Sequence, residues 1–370
     1  MRLSRLRLAN FRNHRASDVL LEPGPTVFLG ANAQGKSAIL EAIHVSATGR
    51  SFRTQREVEM IALGEEWARL RSVVQRADRE EEVDVTLRRE AVGEGRAVRE
   101  MRINGVPVRP GELFGHLLCV AAAPDDADVI TGPPRLRRRL LDLLLAQISP
   151  AYYDTAQRYG RVLVQRNRLL RQGRGGGLEP WDEQLATIGA AMTARRRGVA
   201  ARVADAAAGI YQALSGGREG LAVGFVPSLS GDDETRMAEY ARVTLPERRA
   251  EDLARGATTL GPHRDDLRFQ IDGRDLRAYG SRGQHLSAML AVRLAERRVL
   301  REESGEDPVL LLDDVLPMLD EVRQSYLLDS VRSGQTVLTV TTLGTVPRPQ
   351  TAAVYRVRAG SVERMYAHLA

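Results

Sequence analysis

The chain has 370 residues, 43% hydrophobic and 28% charged, a balance that excludes a mainly disordered chain, a collagen-like repeat and a small disulfide scaffold. Its length suggests two domains, or one domain carrying a large insertion. The net charge is +6, and no apolar run approaches the roughly 18 residues that span a bilayer. The basic start, MRLSRLRLANFRNHR, has no apolar block behind it, so a secretory signal is not expected. One cysteine, Cys119, means no internal disulfide, and a cytoplasmic setting is expected. Along the chain, RLSRLRLANF alternates as a strand, and PTVFLG at 25–30 reads as an apolar strand ending on glycine. A helix follows from Lys36 to about Ala47, and residues 58–110 alternate in short runs that suggest an antiparallel meander. From Pro133 to about Leu214 the period is helical, interrupted by GRGGG at 173–177 as a flexible loop. Then come a short strand in LAVGFVPSL, a charged helix over about 233–255, and a strand in DLRFQID. A helix over about 283–303, the strand PVLLLDD, another helix and the strand TVLTVTT complete the order. This order predicts an α/β domain that receives a helical insertion. Residues 1–122 and 258–370 form the domain, and residues 123–257 form the inserted lobe.

The basic residues are distributed unevenly. Of the 54 cations, Lys36 is the single lysine and the other 53 are arginine. Where arginine has replaced lysine almost everywhere, position 36 needs a compact ammonium that a guanidinium cannot imitate. Between Pro133 and Ala200 there are 13 arginines against 5 acidic residues, a net of +8, so the remainder sums to −2. These arginines fall in runs, RLRRRL at 135–140, QRNRLLRQGR at 165–174 and ARRRG at 194–198. Clustered arginine at helical spacing suits contact with a phosphate backbone, and a solvated helix face is the bland alternative. Tyr152, Tyr153 and Tyr159 are the only nearby aromatic cluster, too few for base stacking to dominate. Such binding would be electrostatic and weakly sequence-selective.

The strongest local motif is Gly30-Ala31-Asn32-Ala33-Gln34-Gly35-Lys36-Ser37, a GxxxxGKS P-loop in its required setting between a strand and a helix. Glycines let backbone N–H groups curl around a β-phosphate. Lys36 would reach the β- and γ-phosphates, and the Ser37 hydroxyl would take a Mg²⁺ position. The partner motif is VLLLDD at 309–314, an apolar strand ending in two acids. Asp313 would hold Mg²⁺ through water, and Asp314 would orient and deprotonate the attacking water. Ser37 and Asp313 are 276 residues apart in sequence yet must serve one ion, so the arginine-rich block must loop out and return. Tyr279-Gly280-Ser281-Arg282-Gly283-Gln284 precedes a helix. Alone it is a weak pattern, but at this position it resembles the signature motif of ABC-type ATPases. That resemblance implies that Ser281 and Gly283, with Gln284, contact the γ-phosphate of a nucleotide held by a second subunit. Leu319-Asp320 resembles their D-loop.

The order NFRN (10–13), GANAQGKS (30–37), TGRSFRT (48–54), DDADVITGPPRLRRRLLD (125–142), LGPHRDDL (260–267), GSRGQ (280–284) and LLLDDVLPMLD (310–320) resembles the bacterial RecF family. The match runs from about residue 3 to about 342 and leaves the last strand and tail unassigned. The resemblance implies an ABC-type P-loop ATPase head with a mainly helical inserted lobe, related to the SMC and Rad50 heads. It implies an ATP- and Mg²⁺-dependent homodimer that binds DNA at single-strand gaps and duplex junctions. It further implies cooperation with RecO and RecR in loading RecA. Arg12, Asn13 and Arg53 become candidates for contacts to nucleotide base or phosphate. The chain departs from the family at Pro124-Asp125-Asp126, where Pro-Glu-Asp is usual, and at Pro317. Thr341-Thr342 stands where many ABC proteins place a switch histidine. Asp314 is one methylene shorter than the glutamate common in ABC ATPases, so hydrolysis is expected to be slow. His263 is the histidine to test, with a hydrogen-bonding structural role ahead of a chemical one. Three rival readings are a transport ATPase subunit, a Rad50-like clamp and a DNA-binding module without ATP chemistry. The first would need a coupling surface for membrane partners, and the second needs long heptad arms that an insertion of about 130 residues lacks. The third would keep its DNA binding if Lys36 were removed.

Overall fold

Alternation of buried and solvent-facing residues, complete along Trp67–Gln75, makes the N-terminal third an antiparallel sheet with one covered face. Its strands are β1 (Arg2–Phe11), β2 (His14–Leu20), β4 (Trp67–Gln75), β5 (Glu80–Arg89), β6 (Ala97–Ile103) and β7 (Val106–Pro107), in the order β2-β1-β4-β5-β6-β7. The second sheet has no solvent-facing pattern at its centre: β12 (Val309–Leu312) and β13 (Thr336–Val340) are buried at every residue. Its order is β15-β14-β3-β13-β12-β8. β3 (Pro25–Leu29), β8 (Cys119–Ala122) and β14 (Ala353–Arg358) join β12 and β13 in parallel, and β15 (Ser361–Met365) closes the edge antiparallel. Between the two sheets lies α1 (Lys36–Thr48), buried at every residue except Ser37. A helix covered all round must be sandwiched, and Ile39, Leu40 and Ile43 share one core with Leu70 and Val85 on one side and Leu311 and Val337 on the other.

The remaining helices are α2 (Ala127–Thr131), α3 (Pro134–Ile148), α4 (Pro150–Arg171), α5 (Glu179–Leu214), α6 (Glu234–Glu247), α7 (Arg249–Arg255), α8 (Leu276–Tyr279), α9 (Arg282–Ser304) and α10 (Glu321–Ser330). A three-stranded antiparallel sheet, β11-β10-β9, joins β9 (Leu221–Val226) to β10 (Asp266–Ile271) and β11 (Arg274–Asp275). The boundary expected at 257/258 falls between β9 and β10 of this sheet. The helical core runs unbroken from Leu140 and Tyr211 through Met289 to Leu310 and Leu338 of the central sheet. This computed structural model describes residues 1–90, 96–173, 176–331, 334–342 and 353–365. Of GRGGG, Arg174 and Gly175 lie outside the described residues, and the rest connects α4 to α5.

The α/β architecture and most elements follow the sequence reading, with two departures, each near a proline. The helical stretch from Pro133 breaks at Ser149, whose φ of −142° and ψ of 103° are the extended conformation favoured before a proline. The charged helix over 233–255 is two helices, α6 and α7, meeting at Arg248 just after Pro246, which can donate no backbone hydrogen bond. Among the described residues no helix is long and apolar enough to cross a membrane.

Candidate functional site

β3 ends at Leu29 and α1 begins at Lys36, and the loop between them turns through left-handed residues, Ala33 at φ 62° and Gly35 at φ 111°. A β-carbon on Gly35 would lie 2.6 Å from Asn13 Oδ1 and 2.8 Å from His14 Nε2, so both backbone and neighbours demand glycine. Lys36 is buried, and its Nζ donates to the carbonyls of Gly30 at 2.9 Å and Ala31 at 3.1 Å, with Asp314 Oδ2 3.8 Å away. The ammonium is folded across the mouth of the loop, where a phosphate oxygen can take the place of the carbonyls.

β12 delivers the two acids to this loop. Ser37 Oγ donates to Asp313 Oδ1 at 2.7 Å, so the two ends of the chain meet as the spacing required. Thr339 on β13 donates to the same oxygen at 2.9 Å and accepts from Asp314 N at 2.8 Å. Burial raises the Asp313 pKa, and hydrogen bonds from Ser37 and Thr339 oppose it. Asp314 has a φ of 47°, a strained backbone for a non-glycine residue and one that collects at functional sites. Its Oδ1 is buried and has no hydrogen-bond partner among the described residues, a cost that a bound water would remove. The donor set fits Mg²⁺, which takes one or two protein oxygens and completes its shell with phosphate and water. Ser37 and Asp313 would hold the ion, and it would neutralise phosphate charge there. No cluster of three or more His, Cys, Asp or Glu side chains stands ready for a metal among the described residues, so the other ligands would have to come from nucleotide and solvent.

An open cavity of about 810 Å³ fronts the loop, lined by Arg12, Asn13, Lys36, Ser37, Arg53 and Asp314 among others. The N-terminal candidates are thus brought together, but two of them are already engaged. Arg12 grips buried Glu41 with Nη2 at 2.7 Å and Nε at 2.9 Å, and donates to Glu59 O at 2.7 Å. Asn13 Nδ2 donates to Gln34 O at 2.9 Å. Arg53 is looser, 3.5 Å from the same Glu41 carboxylate. Sequence reasoning missed Glu41, although an acid inside the apolar run AILEAI was the available signal. It also missed Val58, Ile61 and Leu63, which give the cavity an apolar wall suited to a flat ring. Leu63 is 89% exposed, and its irregular segment has no periodicity to mark it.

Ser281, Gly283 and Gln284 do not line this cavity. Ser281 Oγ accepts from Gln284 N at 3.2 Å and Gln284 Oε1 accepts from Ser281 N at 2.9 Å, a capping box that starts α9. Gln284 Nε2 also donates to Glu219 at 2.8 Å, so this side chain is occupied within its own chain. Asp126 holds Arg293 of α9 at 2.6 and 3.1 Å. Its neighbour Asp125 lines a second cavity of about 480 Å³ that also reaches Asp313. His263 is structural, because Tyr159 OH meets its Nδ1 at 2.7 Å and Thr258 O meets its Nε2 at 2.9 Å. Burial lowers its pKa to about 4. At the end of β13, the residue that touches the acids is Thr339, two positions before Thr341.

The arginine runs need a correction. Each contributes one buried guanidinium. Arg137 pairs with Asp266 at 2.6 Å, Arg166 with Asp182 at 2.7 Å and Asp252 at 2.6 Å, and Arg196 with Asp142 at 2.8 Å and Asp265 at 3.0 Å. Arg139 donates to Ser51 O at 2.8 Å and Arg138 to Asp265 O at 2.9 Å, so the 137–139 run is no free DNA surface. Tyr152 and Tyr159 are buried as well. Exposed arginine remains at Arg135, at Arg195 and most densely along α4, where Arg158, Arg161, Arg168 and Arg171 are exposed. None of the four is paired with a carboxylate among the described residues, and no acid occurs between Asp154 and Glu179.

Comparison with known proteins agrees over the whole length. Residues 2–360 match the RecF/RecN/SMC N-terminal domain family. The chain is 40% identical over 373 residues to the DNA replication and repair protein RecF of Symbiobacterium thermophilum, covering 98% of each. It is 34% identical to that of Alkaliphilus oremlandii, covering 98% of this chain and 100% of that one. Among solved structures, the recombination mediator protein RecF with ATP in the RecFOR pathway superposes at a TM-score of 0.89 and 31% identity, over 98% of this chain and 97% of that one. A Pyrococcus furiosus Smc head superposes at 0.56 with 15% identity over 98% of this chain and 95% of that one, a likeness of fold alone. By the family match over residues 2–360 and identities of 34–40% along the whole length, the chain belongs to the RecF family of ABC-type ATPase heads.

Proposed function

We propose that this protein binds ATP with Mg²⁺ as a dimer, hydrolyses it slowly and acts on DNA as a recombination mediator. The observation that carries the reading is the meeting of Lys36, Ser37 and Asp314, with its unpartnered oxygen, at one open cavity, with Asp313 bonded to Ser37 behind them. The related RecF was solved with ATP, which supports the same ligand here. Slow turnover follows from the short reach of Asp314, since general-base contributions of roughly 10²–10⁴-fold depend on distance to the water. The action is placed at single-strand gaps in the cytoplasm, together with RecO and RecR in loading RecA. The open arginine face of α4 supports contact with a duplex backbone. The separation of Ser281 and Gly283 from the P-loop cavity of their own chain supports a composite site completed by a second copy. Ser281 accepts from Gln284 N, which leaves its hydroxyl proton for a phosphate oxygen.

Ser281→Arg tests this reading. The variant should keep near-normal ATP affinity, because its own P-loop is intact. ATP-induced dimerisation and hydrolysis should be lost together. Equilibrium nucleotide binding and light scattering measure both, and a variant that still dimerises with ATP removes Ser281 and Gly283 from the partner's site.

A further inference from the structure

The last two strands have no role in the motifs, yet the turn between β14 and β15 rests on the P-loop. Ala359 N donates to Gln34 Oε1 at 2.8 Å, and Gly360 N donates to Gln34 O at 2.9 Å. On its other side the turn is held by Ser17 Oγ, which donates to Gly360 O at 3.1 Å. Just before the turn, Val357 O lies where a β-carbon on Gly30 would come within 2.5 Å. Both Gly30 and Gln34 are therefore backed by residues 357–360.

The turn has little freedom to move. Ala359 at φ 46° and Gly360 at φ 79° are the left-handed pair that a two-residue hairpin turn requires. Asn104-Gly105 and Asp272-Gly273 adopt the same φ values within a few degrees, with the Asn or Asp that such turns prefer. Alanine at 359 sits in a backbone region that disfavours it. A β-carbon on Gly360 would fall 2.0 Å from Asn13 O and 2.7 Å from Asn13 C. These are backbone atoms, and they cannot swing aside as a side chain would.

We propose that the β14–β15 turn is the outer wall of the phosphate cradle, and that Ala359 and Gly360 are positioning residues for nucleotide binding that act through Gln34. Gln34 lies outside both β3 and α1, so neither sheet nor helix hydrogen bonds hold it. A phosphate-binding loop works only if its amides already point inward. The two turn amides supply that constraint from the outside. The inference rests on the ATP reading of this loop.

ATP affinity and thermal unfolding of the full chain test it. Gly360→Ala forces the turn away from Asn13 and should weaken ATP binding by about tenfold or more. Gly105→Ala is the control, at the same φ of 79° but with nothing within 4 Å of the added carbon. It imposes the same backbone strain far from the loop and should leave ATP affinity within about twofold. Ala359→Asn keeps the N–H donor, relieves the strain and should bind ATP at least as well as wild type. If Gly360→Ala does not fold, Gln34→Met decides instead, since it removes the acceptor for Ala359 N–H and should weaken ATP by about 3- to 10-fold. Wild-type affinity in Gly360→Ala, or in Gln34→Met where the first does not fold, overturns the inference. A wild-type chain that binds no ATP overturns the reading beneath it as well.

Discussion

The nucleotide cavity of the head and the interior of the helical lobe hold positive charge in opposite ways. In the head, Lys36 and Arg53 stand at an open cavity, held by contacts that a phosphate can replace, two carbonyls for Lys36 and a 3.5 Å carboxylate for Arg53. In the lobe, Arg166 is fully buried between Asp182 and Asp252, and Arg196 between Asp142 and Asp265. Those carboxylates are themselves tied to neighbours. Asp252 accepts from Thr259 N and Oγ1, and Asp265 accepts from Ser228 N. The difference teaches that a cation's function depends on whether its partners can be exchanged. Arginine density by itself says nothing of that.

The sharpest way to break the comparison is Arg166→Met. It leaves buried Asp252 without a cation while Asp182 keeps Arg249 at 2.7 Å, and the chain should lose about 3 kcal/mol of stability by denaturant unfolding. A loss under about 1 kcal/mol would mean that the lobe's pairs are not structural. Lys36→Met should do the reverse, leaving stability nearly unchanged while costing about 3 kcal/mol of ATP binding, roughly 100-fold, by calorimetric titration.

The α4 face sharpens the comparison within the lobe itself. Replacing Arg158, Arg161, Arg168 and Arg171 with Gln should lower duplex affinity by about 2 kcal/mol and flatten its salt dependence by about 0.9 for each phosphate no longer neutralised. ATP binding should not change. An unaltered salt slope would leave α4 as a solvated face. The smallest effect concerns acid. His44 on the P-loop helix and His263, packed against Tyr159 of the lobe, are both held at about 4 by burial, below the 6.5 of an unfolded histidine. A depressed folded value contributes stability that is fully present above about pH 6.5 and is lost as pH falls toward about 4. Each should therefore cost about 1–2 kcal/mol between pH 7 and pH 5. His263→Gln should flatten that slope by one histidine's share in unfolding experiments at the two pH values.

The sequence alone was enough to identify whatever depends on near neighbours. GANAQGKS between an apolar strand and a helix names a phosphate loop. VLLLDD names a buried strand ending in acids, and the 276-residue gap between Ser37 and Asp313 demands an insertion. Periodicity also separated the antiparallel meander from the helical lobe, because alternation and 3.6-residue spacing are local properties. Tertiary structure alone decided which charges are free. Arg137 and Arg158 look alike in a helical run, but Arg137 meets Asp266, 129 residues away, and Arg158 meets solvent. It also decided that Glu41 anchors Arg12, that Thr339 touches the acids and that the 359–360 turn backs Gln34 across 325 residues. Each is a long-range pairing, and a hydrogen bond depends on distance and direction in space, which one-dimensional order does not carry.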